Sequence, residues 1–335
     1  MLHPTLISSG HDVVWGMDFV SPEEMIFSQR NGHIFLLNLK TQKTREVIGT
    51  PDVIARGQGG MLDIKIYNDP QKRTWLYMTY AAPVTPQTQT TKLARAILSE
   101  NTLTQFEQLF MALPAQTTTH HYGSRIAFDQ KGHLFFTVGE RGQRDLAQDL
   151  TTHMGKIIRL HLDGSIPNDN PFYKHASAQK EIWSYGHRNP QGIFFDLTTE
   201  KLWAQEHGPR GGDEINLIKP GANYGWPKIT YGREYHGPKI GTTHQEGLEQ
   251  PFYYFVPSIA PSSLYLYRGE KYPMLNNTFL SGALALHHIN AVHIESKQES
   301  RFLEKQHHRV RHIIEGPDLH LYFSTDGGEI YRLDP

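Results

Sequence analysis

The chain has 335 residues, no cysteine, and 33 basic against 34 acidic side chains, for a net charge of −1. Disulfides, thiolate catalysis and cysteine-ligated iron–sulfur clusters are excluded, and the charge balance gives no basis for binding nucleic acid or an anionic membrane surface. No apolar run approaches the ~20 residues of a membrane span, and the N-terminal Met1-Leu2-His3-Pro4-Thr5-Leu6 lacks the basic and apolar regions of a signal peptide.

In chain order the pattern is strand-like almost throughout. Trp15–Phe19 alternates, and Glu24–Phe27 and His33–Leu37 flank the hairpin signal Arg30-Asn31-Gly32. Gly59–Tyr67, Thr74–Tyr80 and Ala94–Leu98 follow. Leu103–Leu113 reads either as an amphipathic helix or as a strand pair. Ser124–Phe128, His133–Val138 and Lys156–Leu162 form the next group, then Gly192–Phe195, Lys201–Ala204 and Glu214–Ile218. Ser263–Tyr267, Thr278–Ser281 and Ala291–Ile294 precede a last group of Arg309–Ile314, Leu319–Ser324 and Glu329–Leu333.

A loose repeat runs through these groups. Trp15, Gly59, Gly123, Pro190, Pro261 and Arg309 each open a turn followed by an apolar alternating run. Six such starts, at intervals of roughly 45 to 75 residues, predict an all-β, six-bladed β-propeller with four-stranded antiparallel blades, formed as one domain over residues 1–335. A pair of β-sandwiches is the competing architecture. Gly139–Gly155 and Trp226–Gln250, poor in strand pattern, read as long loops on one face. In a propeller the blade starts face a common channel, so Gln58, His121, Arg188 and Arg309 are expected to converge.

The polar motifs lie at those starts. Gly57-Gln58-Gly59-Gly60 is either a plain turn or a turn presenting one amide to a carbonyl or carboxylate. In His120-His121-Tyr122-Gly123, His121 is a candidate general base or an ordinary core or surface histidine. Arg188-Asn189-Pro190 joins a permanent cation to an amide, suited to an anionic or carbonyl-rich ligand or simply to nearby carbonyls. Glu206–Glu214 is the densest polar run, with Gly208 and Pro209 able to offer carbonyls from a tight turn. Glu214, with a carbonyl near Tyr224, can form another oxygen site. Calcium accepts such ligands, a solvated turn needs none, and no EF-hand spacing is present. Arg309 and Arg311 alternate along a strand and share a side, facing either a multiply anionic ligand or solvent.

Taken together, these motifs resemble the soluble aldose sugar dehydrogenases dependent on pyrroloquinoline quinone (PQQ), the glucose/sorbosone dehydrogenase family. The resemblance extends through Gly155-Lys156-Ile157-Ile158-Arg159-Leu160, Trp183–Gly192, Asn223-Tyr224-Gly225-Trp226-Pro227 and Pro257–Ser262, in family order over nearly the whole chain. It implies a six-bladed propeller that oxidises aldoses to lactones with PQQ and Ca²⁺ and passes electrons to an external acceptor (a quinone, dye or cytochrome). It also implies a periplasmic or secreted setting. His121 would be the base and Arg188 would stabilise developing negative charge. Gln58, Arg188, Asn189, His207, Tyr235, Ala283, Leu284, Ala285, Arg309 and Arg311 would contact the cofactor. Gly208 and Pro209 would hold one calcium, Glu214 and Tyr224 a second.

There are departures from the family pattern. Ala285 stands where members often carry a cofactor-binding lysine, His120 replaces an acid of the glucose-oxidising branch, and His207 replaces a glutamine. A propeller that binds ligands or partners without a cofactor is the alternative that Ala285 favours and that His121 and Arg188 oppose. A calcium-dependent lactonase-type hydrolase is a third reading. It needs more carboxylates converging on a central metal than the sequence offers.

Overall fold

The computed structural model describes residues 2–335. Its strands form six four-stranded antiparallel sheets, the blades of a six-bladed β-propeller. Blade 1 comprises Val14–Ser21, Glu24–Gln29, Ile34–Asn38 and Thr44–Glu46. Blade 2 comprises Met61–Asn68, Thr74–Pro83, Gln89–Ser99 and Thr102–Met111. Blade 3 holds Ile126–Phe128, His133–Val138, Lys156–His161 and Ile182–Tyr185, and blade 4 holds Pro190–Asp196, Lys201–Glu206, Asp213–Ile218 and Tyr253–Phe255. Blade 5 runs through Tyr265–Tyr267, Thr278–Ala283, His288–His293 and Glu299–Phe302. Blade 6 takes Val310–Glu315, Leu321–Thr325 and Ile330–Asp334, and its fourth strand is His3–Ser8 from the start of the chain. The repeat starts fall at the first strands as expected. The segment Leu103–Leu113 resolves as the strand Thr102–Met111, and helix among the described residues is confined to short 3₁₀ turns.

The burial patterns explain the sheet order. Inner strands such as Val14–Ser21 and Met61–Asn68 open with four buried residues, whereas the outer strand Thr44–Glu46 is exposed at every position. A strand buried on both faces reads as a near-continuous apolar run, and a polar outer strand blunts the sheet edge.

The chain divides into two compact units. One comprises Met1–Ala82, Lys92–Gln108 and Ser262–Pro335, and the other Pro83–Thr91 with Leu109–Pro261. In the first, apolar layers join blade to blade: Ile26, Ile34 and Leu36 pack with Met61, Ile64 and Leu76, and Leu280 and Ile289 with Ile313 and Phe323. In the second, Phe135 and Ile157 of blade 3 pack with Ile193 and Leu202 of blade 4. Each such side chain contributes about 1.5–3 kcal/mol by leaving water. The second unit also carries the two irregular segments. Residues 139–155 contain the 3₁₀ turn Arg144–Gln148, and residues 226–250 carry isolated β-bridges, Ile229 with Thr242 and Arg233 with Lys239, in place of strands. No described helix is long and apolar enough to cross a membrane.

Candidate active site

In the second unit the chain turns sharply before blade 3. His121 adopts φ +56°, in the left-handed region. That conformation costs a residue with a β-carbon on the order of 1–3 kcal/mol, and such cost is commonly stored at functional positions. The backbone packs so closely there that a β-carbon on Gly139 would lie 2.1 Å from the His121 carbonyl oxygen. Glycine at 139 is therefore a steric requirement of the His121 turn.

Gly139 leads into Glu140, which is buried and whose Oε1 lies 2.6 Å from His121 Nδ1. The Glu140 amide donates to the Arg188 carbonyl at 2.9 Å, tying this loop to the start of blade 4. Burial, with the Arg188, His120 and Arg141 charges, holds the His121 imidazole neutral, far below the ordinary histidine range. Burial pushes the Glu140 carboxyl up to about 7. When Glu140 is ionised it accepts Nδ1–H, and the tautomer this selects puts the ring lone pair on Nε2, the form a general base requires.

Arg188 is 7% exposed. Its amide donates to Glu206 Oε2 at 2.7 Å, its Nη1 donates to the Gly208 carbonyl at 2.8 Å, and its guanidinium lies 5.4 Å from the centre of the Trp226 ring. Asn189 is fully buried. Its Oδ1 accepts from the Gly123 amide at 3.1 Å, and its Nδ2 is a buried donor with no partner. A buried orphan donor is costly and is explained by an acceptor that arrives with a ligand.

The loop from His207 to Gly212 is fixed by Asp213, which is 1% exposed. Its Oδ1 accepts from the Gly208 amide at 2.8 Å and the Ser258 hydroxyl at 3.0 Å, and its Oδ2 from the Ile259 and Ala260 amides at 2.7 and 2.8 Å. His207 Nε2 reaches the Pro261 carbonyl at 2.6 Å. The Pro209 carbonyl accepts a long bond, 3.4 Å, from Ser258. Beside this loop lies a cavity of about 10 Å³, lined by Arg188, Glu206, Gly208, Glu214, Tyr224 and Trp226 among others. Burial and the neighbouring Glu206 charge push the Glu214 carboxyl well above the ordinary range. The Tyr224 hydroxyl donates to the Leu217 carbonyl at 2.6 Å, and its ring stacks on His187. Tyr235 is 56% exposed.

In the first unit, Arg309 and Arg311 reach the same carboxylate, as their shared side predicts. Arg309 Nε lies 3.2 Å from Asp326 Oδ2, and Arg311 Nε 2.7 Å from Oδ1. Both cations hold Asp326 below the ordinary carboxylate range against its burial. Arg309 Nη1 also donates to the Leu284 carbonyl at 2.6 Å. Ala283 and Leu284 are buried, whereas Ala285 is exposed in the turn between two strands of blade 5. Gln58 is exposed in a turn before blade 2.

The family model described as Glucose / Sorbosone dehydrogenase matches residues 11–332. The chain belongs to that family. It is 36% identical over 335 residues to the aldose sugar dehydrogenase YliI of Escherichia coli, covering 97% of this chain and 90% of that protein. The crystal structure of the soluble aldose sugar dehydrogenase from Escherichia coli in its apo-form superposes with a TM-score of 0.95 at 34% identity, over 100% of both chains. The PQQ-bound form of an aldose sugar dehydrogenase from Streptomyces coelicolor has the same fold, with a TM-score of 0.83 at 24% identity over 100% of this chain and 98% of that one.

Two residues of the site escaped the sequence reading. Glu140 sits in Gly139-Glu140-Arg141-Gly142, a polar run that opens a long loop directly after a strand, which is where site residues collect. Asp213 lies within the run that includes Gly208, Pro209 and Glu214, but its role in fixing that loop depends on amides 46 and 47 residues away.

Proposed function

We propose that the chain is a PQQ- and Ca²⁺-dependent aldose dehydrogenase that oxidises the sugar at C1 to the lactone and delivers electrons to an external quinone, dye or cytochrome. On this reading both units work as one propeller domain in a periplasmic or secreted setting. The carrying observation is the His121–Glu140 pair: a mostly enclosed imidazole kept neutral, with Nδ1 held at 2.6 Å by a carboxyl group.

The donor set suits the cofactor. Asn189 Nδ2 is an unsatisfied donor, and Arg188, Arg309 and Arg311 supply cations for a planar tricarboxylate. Gln58, His207, Tyr235 and the Ala283–Ala285 turn complete the proposed contacts. The small cavity suits a hard cation. Glu206 and Glu214 face it as two carboxylates that repel one another, Gly208 and Tyr224 line it, and Asn216 nearby keeps a buried Oδ1 with no partner. On this reading the backbone carbonyls of Gly208 and Pro209 hold one calcium, and Glu214 with the Tyr224 carbonyl holds a second; among the described residues no three His, Asp or Glu side chains group to hold a metal.

When bound, PQQ with its Ca²⁺ supplies a hydride acceptor polarised by a Lewis acid. His121 Nε2 takes the proton of the C1 hydroxyl as the C1 hydride departs, and Glu140 stabilises the imidazolium that forms. The Arg188 guanidinium, fixed by the Gly208 carbonyl, would stabilise negative charge developing on the quinone oxygen.

The test is to titrate apo-protein with PQQ and Ca²⁺ and follow absorbance and dye reduction with a panel of aldoses. A PQQ-dependent spectrum with sugar-dependent bleaching of the dye is expected. No spectral change at saturating PQQ overturns the proposal.

A further inference from the structure

Arg141 is a fully buried guanidinium with no part in the chemistry outlined above. Its Nε donates to the His120 carbonyl at 3.0 Å, its Nη1 to the Gln89 carbonyl at 3.3 Å, and its Nη2 to the Thr118 carbonyl. The guanidinium carbon lies 3.7 Å from the centre of the Tyr122 ring. The Thr118 hydroxyl returns a hydrogen bond of 2.6 Å to the Arg141 carbonyl. One side chain thus grips both chain neighbours of His121, one through its backbone and the other through its ring. The residue before Arg141 is Glu140, which grips His121 itself.

We propose that Arg141 is a positioning residue that holds His121 in its left-handed turn and in a single tautomer facing Glu140. The inference rests on the dehydrogenase reading for its effect on turnover, though the clip itself is plain geometry. A left-handed residue other than glycine carries a backbone cost that its surroundings must offset. Here the offset comes from a planar fork that reaches three carbonyls while its face packs on an aromatic ring, a combination arginine offers and lysine does not. Without it, the His120 carbonyl loses its Arg141 donor, and the Gln89 and Thr118 carbonyls each keep only their second donor, the Gln116 N–H and Gln89 Nε2 respectively. The segment from Thr118 to Tyr122 then relaxes, and the imidazole drifts from Glu140. An ammonium among carbonyls is tolerated in this same unit. Lys156, fully buried, donates to the Leu146, Ala147 and Met154 carbonyls at 2.8, 3.2 and 2.6 Å. Arg141→Lys should therefore fold while losing the fork and the stacking face.

The test compares wild type, Arg141→Met and Arg141→Lys, with His121→Ala to assign the His121 signals. The first readout needs no cofactor: ¹⁵N-resolved histidine spectra at about pH 8.5, where Glu140 is ionised. Wild type should show the Nδ1–H tautomer at His121, and the variants an averaged pair. In protein loaded with PQQ and Ca²⁺, kcat should fall roughly 10- to 100-fold, with KM for the aldose and PQQ affinity within about 2-fold. A merely structural role would lower Tm and leave tautomer and kcat unmoved, and that result overturns the inference. If Arg141→Met does not fold, Arg141→Lys decides on the same readouts. If wild type shows no PQQ-dependent oxidation, the dehydrogenase reading fails by itself and the tautomer measurement still judges the positioning role.

Discussion

Around His121, positive charge is turned inward. Arg141 binds three carbonyls and a ring, Arg188 binds the Gly208 carbonyl, and both are nearly inaccessible to water. Around Asp326, two guanidinia converge on one carboxylate, and the Arg309 side chain remains 46% exposed. The first arrangement is anchored to backbone and cannot rearrange without disturbing the turn that carries His121. The second is a charge cluster centred on one side chain, Asp326, and open to solvent at Arg309. The contrast separates two duties. On the proposed reading, His121 with Glu140 and Arg188 would set rate, and Arg309 with Arg311 would set affinity.

The comparison is sharpened most by His121→Ala. It should cut kcat by roughly 10²- to 10⁴-fold, the range a general base supplies, while the PQQ-dependent spectrum persists. A full-rate variant measured by stopped-flow dye reduction would remove His121 from the chemistry.

Glu140→Gln comes next, with an expected loss of roughly 10- to 100-fold. Its pH profile is the more telling measurement. Burial raises the Glu140 carboxyl to about 7. Below that pH the protonated carboxyl donates to Nδ1, which places the ring proton on Nε2 and disables the base. Above it the carboxylate accepts Nδ1–H and leaves Nε2 unprotonated. Thus kcat/KM should rise with pH through about 7 in wild type, and this limb should vanish in Glu140→Gln. A limb that survives unchanged assigns it to another group.

In the first unit, Arg311→Met should raise the PQQ Kd by about 10-fold or more, in keeping with ~1.5–3 kcal/mol for a charged hydrogen bond, while kcat at saturating cofactor stays within about 3-fold. Arg309→Met, at the more exposed site, should cost less. Fluorescence titration separates Kd from kcat, and a collapse of kcat in either variant would break the division of duties.

The smallest effect is a gain. Ala285→Lys adds an exposed cation at the position where relatives of this type often carry lysine, and should tighten PQQ by about 2- to 5-fold, most visibly at low ionic strength.

Legibility in the sequence followed burial. The six blade starts could be read because inner strands such as Val14–Ser21 bury both faces and print an apolar run. Thr44–Glu46, exposed throughout, leaves no periodic signal and could not be read, nor could the use of His3–Ser8 as the outer strand of blade 6. That pairing depends on an edge 322 to 331 residues away in the chain, with Ser8 opposite Ile330 and His3 opposite Asp334.

The same division holds at the site. Residue types and local spacing by themselves determined that His121, Arg188 and Asn189 sit in turns before strands, and that Arg309 and Arg311 share a side, because turn chemistry and the two-residue strand period are local properties. Only the tertiary structure decided that Glu140 selects the His121 tautomer, that Arg141 clips its neighbours, and that Asp326 joins the two arginines. Those contacts depend on the close approach of backbone segments, which glycines such as Gly139 permit and which no local pattern records.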